Sequence, residues 1–512
     1  MMPSGKRSLV SGMLVLVIAL SAGLLAGCTA ASPGQQPSPQ VPAPAEAGKP
    51  KPGGTFTIEY TTARPSIDTD AHQGTASNSA YTFGQAYLPI IGEDVLARDG
   101  KIIGYLADSW TISKDGLTYT FKIKELTTYK GKAFNAEDVA YNINRMITRP
   151  NKRPFGRSGC VRELAKGAEA PDKTTVVITL REVSVGFFQC LANPHIMIVP
   201  KYILEPLDGP AGEGKLLQME DVDGVGPFKP TKWIEGSIWE AERNETYFEK
   251  GLPYLDKYVM IELPDPASKI AAFRTKRIDM FSHFATTPSR DEAQALKQEL
   301  GDQVTHQPVI ATTAEGFQLH WKRKPLDDIR IREAIDLAYN RQQERDLLLK
   351  ANLFSGPYHC GWGWVFTCQE LESWPGHRAD KTEDLKRAKE LMRQAGYNPD
   401  QPSLVLNAAC STSTVSDDPC ELLREDLAKI GIDMKITRLQ TAAFRKQVAD
   451  QVFDIHPWTR YLTAGDPEDY NGLHYLPTAV ENRAQWENPR FVELWKQQRR
   501  EFDQEKRGKL VR

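Results

Sequence analysis

Apolar and polar residues first alternate at Thr55-Phe56-Thr57-Ile58-Glu59-Tyr60, the period of a half-buried strand. Residues 117–123, Leu-Thr-Tyr-Thr-Phe-Lys-Ile, repeat the pattern directly after the turn signal Lys114-Asp115-Gly116. The period then changes. Asn135 is placed to cap a helix, Asp138 stands at the capping-box position, and Phe134 can staple onto Val139. Ala136, Val139, Ala140 and Ile143 give that helix one apolar face. Further strands are predicted over residues 174–180 and 195–199. In the second half, Ile331, Ala334, Ile335 and Ala338 follow helical spacing. Leu391, Met392 and Ala395 line another helix, which Gly396 ends, and Leu423, Leu427 and Ile430 line a third, which Gly431 ends. Ile432, Met434 and Ile436 alternate immediately afterwards, giving a helix-to-strand unit, and residues 490–504 read as a last helical stretch. Helix and strand mixed in both halves predict an α/β protein with two lobes. No repeat at a solenoid period is found.

At 512 residues the chain exceeds what one hydrophobic core sustains, so two or three domains are expected. Its start is not part of that body. Lys6 and Arg7 precede an apolar stretch over residues 9–25, and Leu25-Ala26-Gly27-Cys28 follows. This is the layout of a secretory signal, residues 1–27, and its last four residues resemble a bacterial lipobox. By that resemblance Cys28 becomes a lipid-modified N-terminus, anchored by burial worth about 0.8 kcal/mol per methylene. Glycine and serine interrupt the stretch, which argues against a transmembrane helix. Residues 32–53 contain seven prolines among Ala, Gln, Ser and Gly, too little apolar area to fold. Residues 28–53 therefore read as a lipidated linker, whose stretch 32–53 would hold the body up to roughly 70 Å from the membrane at ~3.1 Å per residue.

Charge removes one class of partner. The 64 basic and 66 acidic side chains leave a formal charge of −2, without the basic footprint that nucleic acid demands. Of seven cysteines, six remain after Cys28: Cys160, Cys190, Cys360, Cys368, Cys410 and Cys420. An even number in an exported chain reads as disulfides. Six allow 15 connectivities, among which proximity in sequence favours Cys160–Cys190, Cys360–Cys368 and Cys410–Cys420. No CxxC pair points to zinc.

Catalytic chemistry finds little support. A secreted hydrolase, the main rival reading, needs a nucleophile with its base or a metal cluster; G-x-S-x-G and H-E-x-x-H are both missing. Residues 209–215, Gly-Pro-Ala-Gly-Glu-Gly-Lys, imitate a phosphate loop, but Leu216 stands where Mg²⁺ needs Ser or Thr, so a surface loop is expected. Asp466, Glu468 and Asp469 lack EF-hand spacing and surround Pro467, the composition of a solvated turn. The third class, a structural or adhesive lipoprotein, differs from a binder in lacking ligand-dependent closure.

Several stretches stand in an order and spacing that one known family shares. Leu106-Ala107-Asp108-Ser109-Trp110, then Asp115-Gly116-Leu117-Thr118-Tyr119-Thr120-Phe121 and Ala136-Glu137-Asp138-Val139, look like the family's early signature. Gly224-Val225-Gly226-Pro227-Phe228, Arg243-Asn244-Glu245-Thr246-Tyr247-Phe248, Pro253-Tyr254-Leu255-Asp256 and Arg277-Ile278-Asp279 look like its middle block. The run from Pro325 to Ile335, Pro-Leu-Asp-Asp-Ile-Arg-Ile-Arg-Glu-Ala-Ile, resembles its interlobe helix, with Ala395-Gly396-Tyr397 and Ile430-Gly431-Ile432 as later landmarks. By these stretches together the chain resembles the family 5 extracellular solute-binding proteins of ABC importers.

The resemblance implies a two-lobed periplasmic-binding-protein fold of type II, in its large peptide-binding variant with an extra subdomain in the first lobe. The first lobe would span 54–305 with an inserted subdomain near 90–215, and the second 306–490. Residues 491–512 would begin a C-terminal return segment, which family members continue well beyond this chain's last residue. A ligand held between the lobes drives their closure. The implied protein is a monomer in the periplasm or lipid-anchored on the outer face of the cell membrane, working with a separate permease and ATPase. It takes no cofactor or metal and is no enzyme. Peptide-binding members carry an aspartate three residues after a tryptophan, to meet the ligand's amino group; here Tyr461 occupies that place after Trp458. The expected cleft residues are Trp458, Arg460 and Tyr461, with His456 beside them. Trp362 and Trp364 sit with Phe366 between Cys360 and Cys368; either a short disulfide holds these rings rigid and offers them to a ligand beside the cleft residues, or they pack as core against the second lobe.

Overall fold

The alternation at residues 55–60 becomes strand β1 (Thr55–Tyr60). The computed structural model describes residues 50–60, 84–94, 101–152, 158–215, 217–234, 236–263, 265–281, 288, 290–305, 313–344, 365–411, 419–461, 466–479 and 481–512, all in one compact unit. The signal, Cys28 and most of the linker lie outside them. No helix among the described residues is long and apolar enough to cross a membrane.

After β1 the chain builds a separate layer. A short pair, β2 (Ile91–Glu93) and β3 (Ile102–Gly104), precedes β4 (Ala107–Ile112) and β5 (Thr118–Ile123), and a second short pair, β6 (Leu126–Thr127) and β7 (Ala133–Phe134), leads into helix α1 (Ala136–Thr148). The capping box forms as the sequence predicts: Asn135 Oδ1 accepts from the Glu137 N–H and Asp138 Oδ2 from the Asn135 N–H, both at 2.8 Å. Helix α2 (Gly159–Leu164), β8 (Ala165–Asp172), β9 (Thr175–Leu180), α3 (Phe187–Leu191) and α4 (Lys201–Asp208) complete the layer. Its antiparallel sheet runs β4-β5-β9-β8. Phe121, Phe134, Val139, Ile143, Val176, Ile178 and Phe187 fill its core. Cys160–Cys190 ties α2 to α3 with Cα atoms 6.2 Å apart. The strand predicted over residues 195–199 does not form. Ile198 makes one bridge to Leu88, and the run from Ile196 to Val199 is buried from both sides without a longer partner. The phosphate-loop imitation follows α4 as a 3-10 turn and loop.

The chain then returns to β1. Strands β10 (Phe228–Ile234), β11 (Ile238–Arg243) and β12 (Lys257–Glu262) give the sheet order β1-β12-β11-β10, with β12 parallel to β1 and Ile58 opposite Met260. Trp239, Tyr258 and Met260 pack with Ile58, while Val259, Ile261 and Ile278 make a second cluster that includes residues of α5 (Pro266–Arg274). Helix α6 (Arg290–Leu300) follows.

A third core lies in the second half. Strand β13 (Thr313–Leu319) is followed by helices α7 (Ile329–Ala338), α8 (Arg341–Glu344), α9 (Cys368–Glu372) and α10 (Thr382–Gln394). Then come β14 (Leu404–Ser411), α11 (Pro419–Ala428), β15 (Ile432–Leu439), α12 (Thr441–Ala449) and β16 (Ile455–Tyr461). The sheet order is β13-β16-β14-β15. Strands β14 and β15 are parallel and linked by α11, the helix-to-strand unit that the sequence predicts. Gly396 and Gly431 take φ of +90° and +78°, the left-handed geometry that ends a helix without a Cβ clash. Cys410–Cys420 ties the end of β14 to the first turn of α11.

Three helices finish the described chain: α13 (Pro467–His474), α14 (Pro489–Gln498) and α15 (Gln504–Val511). The single helical stretch expected over residues 490–504 is broken. Helix α14 ends at Gln498, and Asp503 caps a new helix by accepting from the Lys506 N–H at 3.0 Å.

Candidate functional site

Strand β16 carries the expected cleft residues. Its described ladder with β14 is the pair Ile455 and Ala408. Among the described residues the rest of its length pairs with β13, in the register Leu319 to Ile455, Gln318 to His456, Gly316 to Trp458, Ala314 to Arg460 and Thr313 to Tyr461. Trp458, Arg460 and Tyr461 thus stand on the C-terminal part of the strand, whose described ladder is with β13. Residues directly opposite in an antiparallel pair share a face, with Cβ atoms about 5 Å apart. Gly316 therefore places no side chain beside the Trp458 indole.

Trp458 is half-buried, and aromatic rings fix its orientation. His474 meets it edge-on with centroids 4.9 Å apart, and Tyr475 does so at 6.0 Å. Tyr475 in turn contacts Trp486 and Phe491 at 5.8 and 5.9 Å. Trp486 stands perpendicular to Trp321, and the Arg332 guanidinium lies 3.7 Å from the Trp321 ring centre. Edge-to-face packing of this kind stabilises each pair by about 0.5–1.5 kcal/mol beyond burial and holds the rings rigid.

His456 corrects the expectation that it lines the cleft. Its ring is 3% exposed, packs edge-on against Phe453 at 4.5 Å, and lies 2.8 Å from Pro457 O through Nδ1 and 3.2 Å from Gln318 Oε1 through Nε2. Burial drives its pKa down to about 4, so the ring is neutral core at neutral pH. Phe366 is also core, 2% exposed against Trp374. Its sequence neighbours Trp362 and Trp364 lie outside the described residues, as does Cys360; Cys368 opens α9, and its proposed bridge to Cys360 falls outside with that partner.

The solvated turn expected at Asp466, Glu468 and Asp469 is corrected at Asp466 and Glu468. Asp466 and Glu468 are 3% and 4% exposed. Asp466 caps α13 through the Glu468 N–H and receives two hydrogen bonds from Arg507, at 2.7 and 2.6 Å. Glu468 Oε1 accepts from Ser184 Oγ at 2.6 Å and from Arg499 Nε at 3.1 Å, while Oε2 accepts from the Gly186 N–H at 2.9 Å. Burial raises the Glu468 pKa, and Arg499 opposes that rise. Both carboxylates thus meet arginines 31 and 41 positions downstream. One local signal pointed here: Asp466-Pro467 is a helix N-cap followed by proline at the first helical position. Nothing local marked Ser184, Arg499 or Gly316.

Among the described residues, no group of three or more His, Cys, Asp or Glu side chains is placed to hold a metal. The arrangement is a strand end carrying a half-buried indole held between rings, suited to flat apolar contact.

A family model for bacterial extracellular solute-binding proteins, family 5, matches residues 101–482. Di/tripeptide-binding protein 2 of Pseudomonas aeruginosa is 26% identical over 464 residues, 85% of this chain and 82% of that protein. The glutathione-binding protein GsiB of Salmonella typhi is 28% identical over 349 residues, 67% of this chain and 62% of that protein, less than two thirds of its length. Among solved structures, the periplasmic binding protein DppA of Helicobacter pylori, in complex with the peptide STSA, superposes with a TM-score of 0.72. It is 23% identical and covers 90% of this chain and 89% of its own. That likeness carries the two-lobed α/β fold.

Proposed function

Because the chain belongs to the bacterial extracellular solute-binding proteins of family 5, we propose that it captures a short peptide or peptide-like solute between two lobes and passes it to the permease and ATPase of an ABC importer. The observation that carries this reading is the family match, which runs unbroken from residue 101 to 482 through all three cores. The peptide class rests on the names of the relatives, a di/tripeptide-binding and a glutathione-binding protein. The lobes are assigned as 54–305, with a subdomain near 90–215, and 306–490. Leu25-Ala26-Gly27-Cys28 supports secretion as a lipoprotein anchored through Cys28, and the family resemblance supports a monomer. Binding without catalysis fits a chain whose motifs include no nucleophile–base set.

The ligand site is assigned to Trp458, Arg460 and Tyr461 on the C-terminal part of β16, with Trp362 and Trp364 completing it. The indole supplies flat apolar area without side-chain specificity. Arg460 supplies a planar fork that matches a carboxylate. Tyr461 in place of the family's aspartate leaves the ligand's amino group to another partner.

Two measurements test the assignment. Native mass spectrometry of protein purified without denaturation should show a copurifying mass in the range of a short peptide. Calorimetric titration with Ala-Ala-Ala should show saturable binding that Trp458→Ala weakens. Heat of binding that appears only with sugars or with a nickel chelate would replace the peptide reading.

A further inference from the structure

Helix α13 touches two regions that the sequence keeps far apart. At its N-terminal end, Glu468 reaches residues 184–186 of the β4-β5-β9-β8 subdomain, 284 positions away. At its C-terminal end, His474 and the following Tyr475 hold the Trp458 indole edge-on. Eight residues at about 1.5 Å per residue separate these ends by about 12 Å, and the described contacts leave the helix little freedom between them. Trp495 Nε1 donates to Glu468 O at 3.1 Å, and Arg507 grips the Asp466 cap from α15. Arg499 lies over the Trp495 ring at 4.4 Å, binds Glu468 and Glu182, and accepts at its carbonyl from the Val185 N–H at 2.9 Å. Residue 186 is suited to this contact only as glycine, since a Cβ there would stand 2.7 Å from Glu468 Oε2. Tyr119 donates to Ser184 O at 3.1 Å and fixes the other side of the receiving loop.

We propose that Glu468 is a positioning residue for the binding site: its bonds to Ser184 and Gly186 set the placement of α13, and α13 sets the orientation of Trp458. Ligand affinity would then depend on residues 184–186, which are remote in sequence from β16. This inference rests on the assignment of Trp458 to the site, but its structural half is measurable without any ligand.

The protein is labelled with 5-fluorotryptophan, and the Trp458 resonance is assigned by Trp458→Phe. Ser184→Ala removes one hydrogen bond to the carboxylate, and Gly186→Ala displaces it by contact. Both should shift or broaden the Trp458 resonance while leaving that of Trp239, in the β1-β12-β11-β10 core, unchanged. Ser184→Ala is the mild variant that keeps the test open if Gly186→Ala fails to fold. In a calorimetric double-mutant cycle with Ala-Ala-Ala, Ser184→Ala should weaken binding about threefold to tenfold, the scale of one hydrogen bond, and have little further effect once Trp458 is alanine. A Trp458 resonance that stays in place in both variants, or strictly additive losses of affinity, overturns the proposal. If the resonance shifts but Trp458→Ala leaves affinity intact, α13 still positions Trp458, and it is the assignment of the ligand site that fails.

Discussion

Gly316 stands directly opposite Trp458 in the β13–β16 ladder, the one partner in that register without a side chain to cover the indole's flank. On the assigned site the ligand would share the space over Gly316. Gly316→Val should fill it, at a cost to binding of about 1–3 kcal/mol, the usual penalty for overpacking, or roughly tenfold or more in Kd. The same change should leave the fold no weaker, because glycine inside a strand is itself unfavourable by about 0.5–1 kcal/mol. Titration with Ala-Ala-Ala alongside thermal melting checks both halves. Weaker binding with an undiminished Tm is the expected pair; unchanged affinity removes Gly316 from the site.

Cys160–Cys190 and Cys410–Cys420 close loops of 30 and 10 positions. On the loop-entropy account they should contribute about 4 and about 3 kcal/mol. Replacing either pair by alanine should lower the urea midpoint, more for the first than for the second. Peptide mapping without reduction should recover both pairs from the oxidised protein. Free thiols at these four positions would refute the scheme.

Glu59 on β1 and Lys269 on α5 form an ion pair at 2.9 Å with side chains 0% and 1% exposed. Lys269→Met should destabilise by about 3–5 kcal/mol, because it leaves a buried carboxylate without this cation. The double variant Glu59→Leu with Lys269→Met should recover most of the loss, since both desolvation costs vanish together. Chemical denaturation of the wild type, Glu59→Leu, Lys269→Met and the double variant measures the coupling. A double variant as unstable as the single one would show that the pair stabilises by more than mutual neutralisation.

Much of this architecture was readable along the chain because its determinants are local. Asn135 and Asp138 act within three residues of each other. Gly396 and Gly431 mark helix ends through their own φ. The alternation at Ile432, Met434 and Ile436 needs no knowledge of β14. The misreadings came where partners are distant. Asp466 and Glu468 look like surface acids until Arg499, Arg507 and Ser184 are brought to them. The run from Ile196 to Val199 has strand composition, but only Leu88 lies alongside to bridge it. His456 shares its strand with Trp458, and only packing against Phe453 and Phe444 separates a core ring from a ligand-facing one. Gly316 is silent in the sequence, since its role is defined by the residue across the ladder.

Acid should weaken the fold through two histidines. Burial lowers the pKa of His456 to about 4, with the nearby Arg483 adding to the fall. Burial and then Arg341 lower His377 to about 4 as well. An unfolded histidine titrates near 6.5, so as pH falls below that value the unfolded chain takes up protons that the folded chain refuses. The stability these rings provide is therefore complete above about pH 6.5 and is lost as pH falls toward 4, at up to 1.36 kcal/mol per pH unit for each ring. Between pH 7 and pH 5 the loss should be about 2 kcal/mol per histidine. His456→Gln and His377→Gln should each flatten the dependence over that interval, whatever they do to stability at pH 7. Urea denaturation of the wild type, both single variants and the double variant at pH 7, 6 and 5 measures the slopes. If the double variant keeps the slope of the wild type, the acid sensitivity lies in other groups and both assignments are wrong.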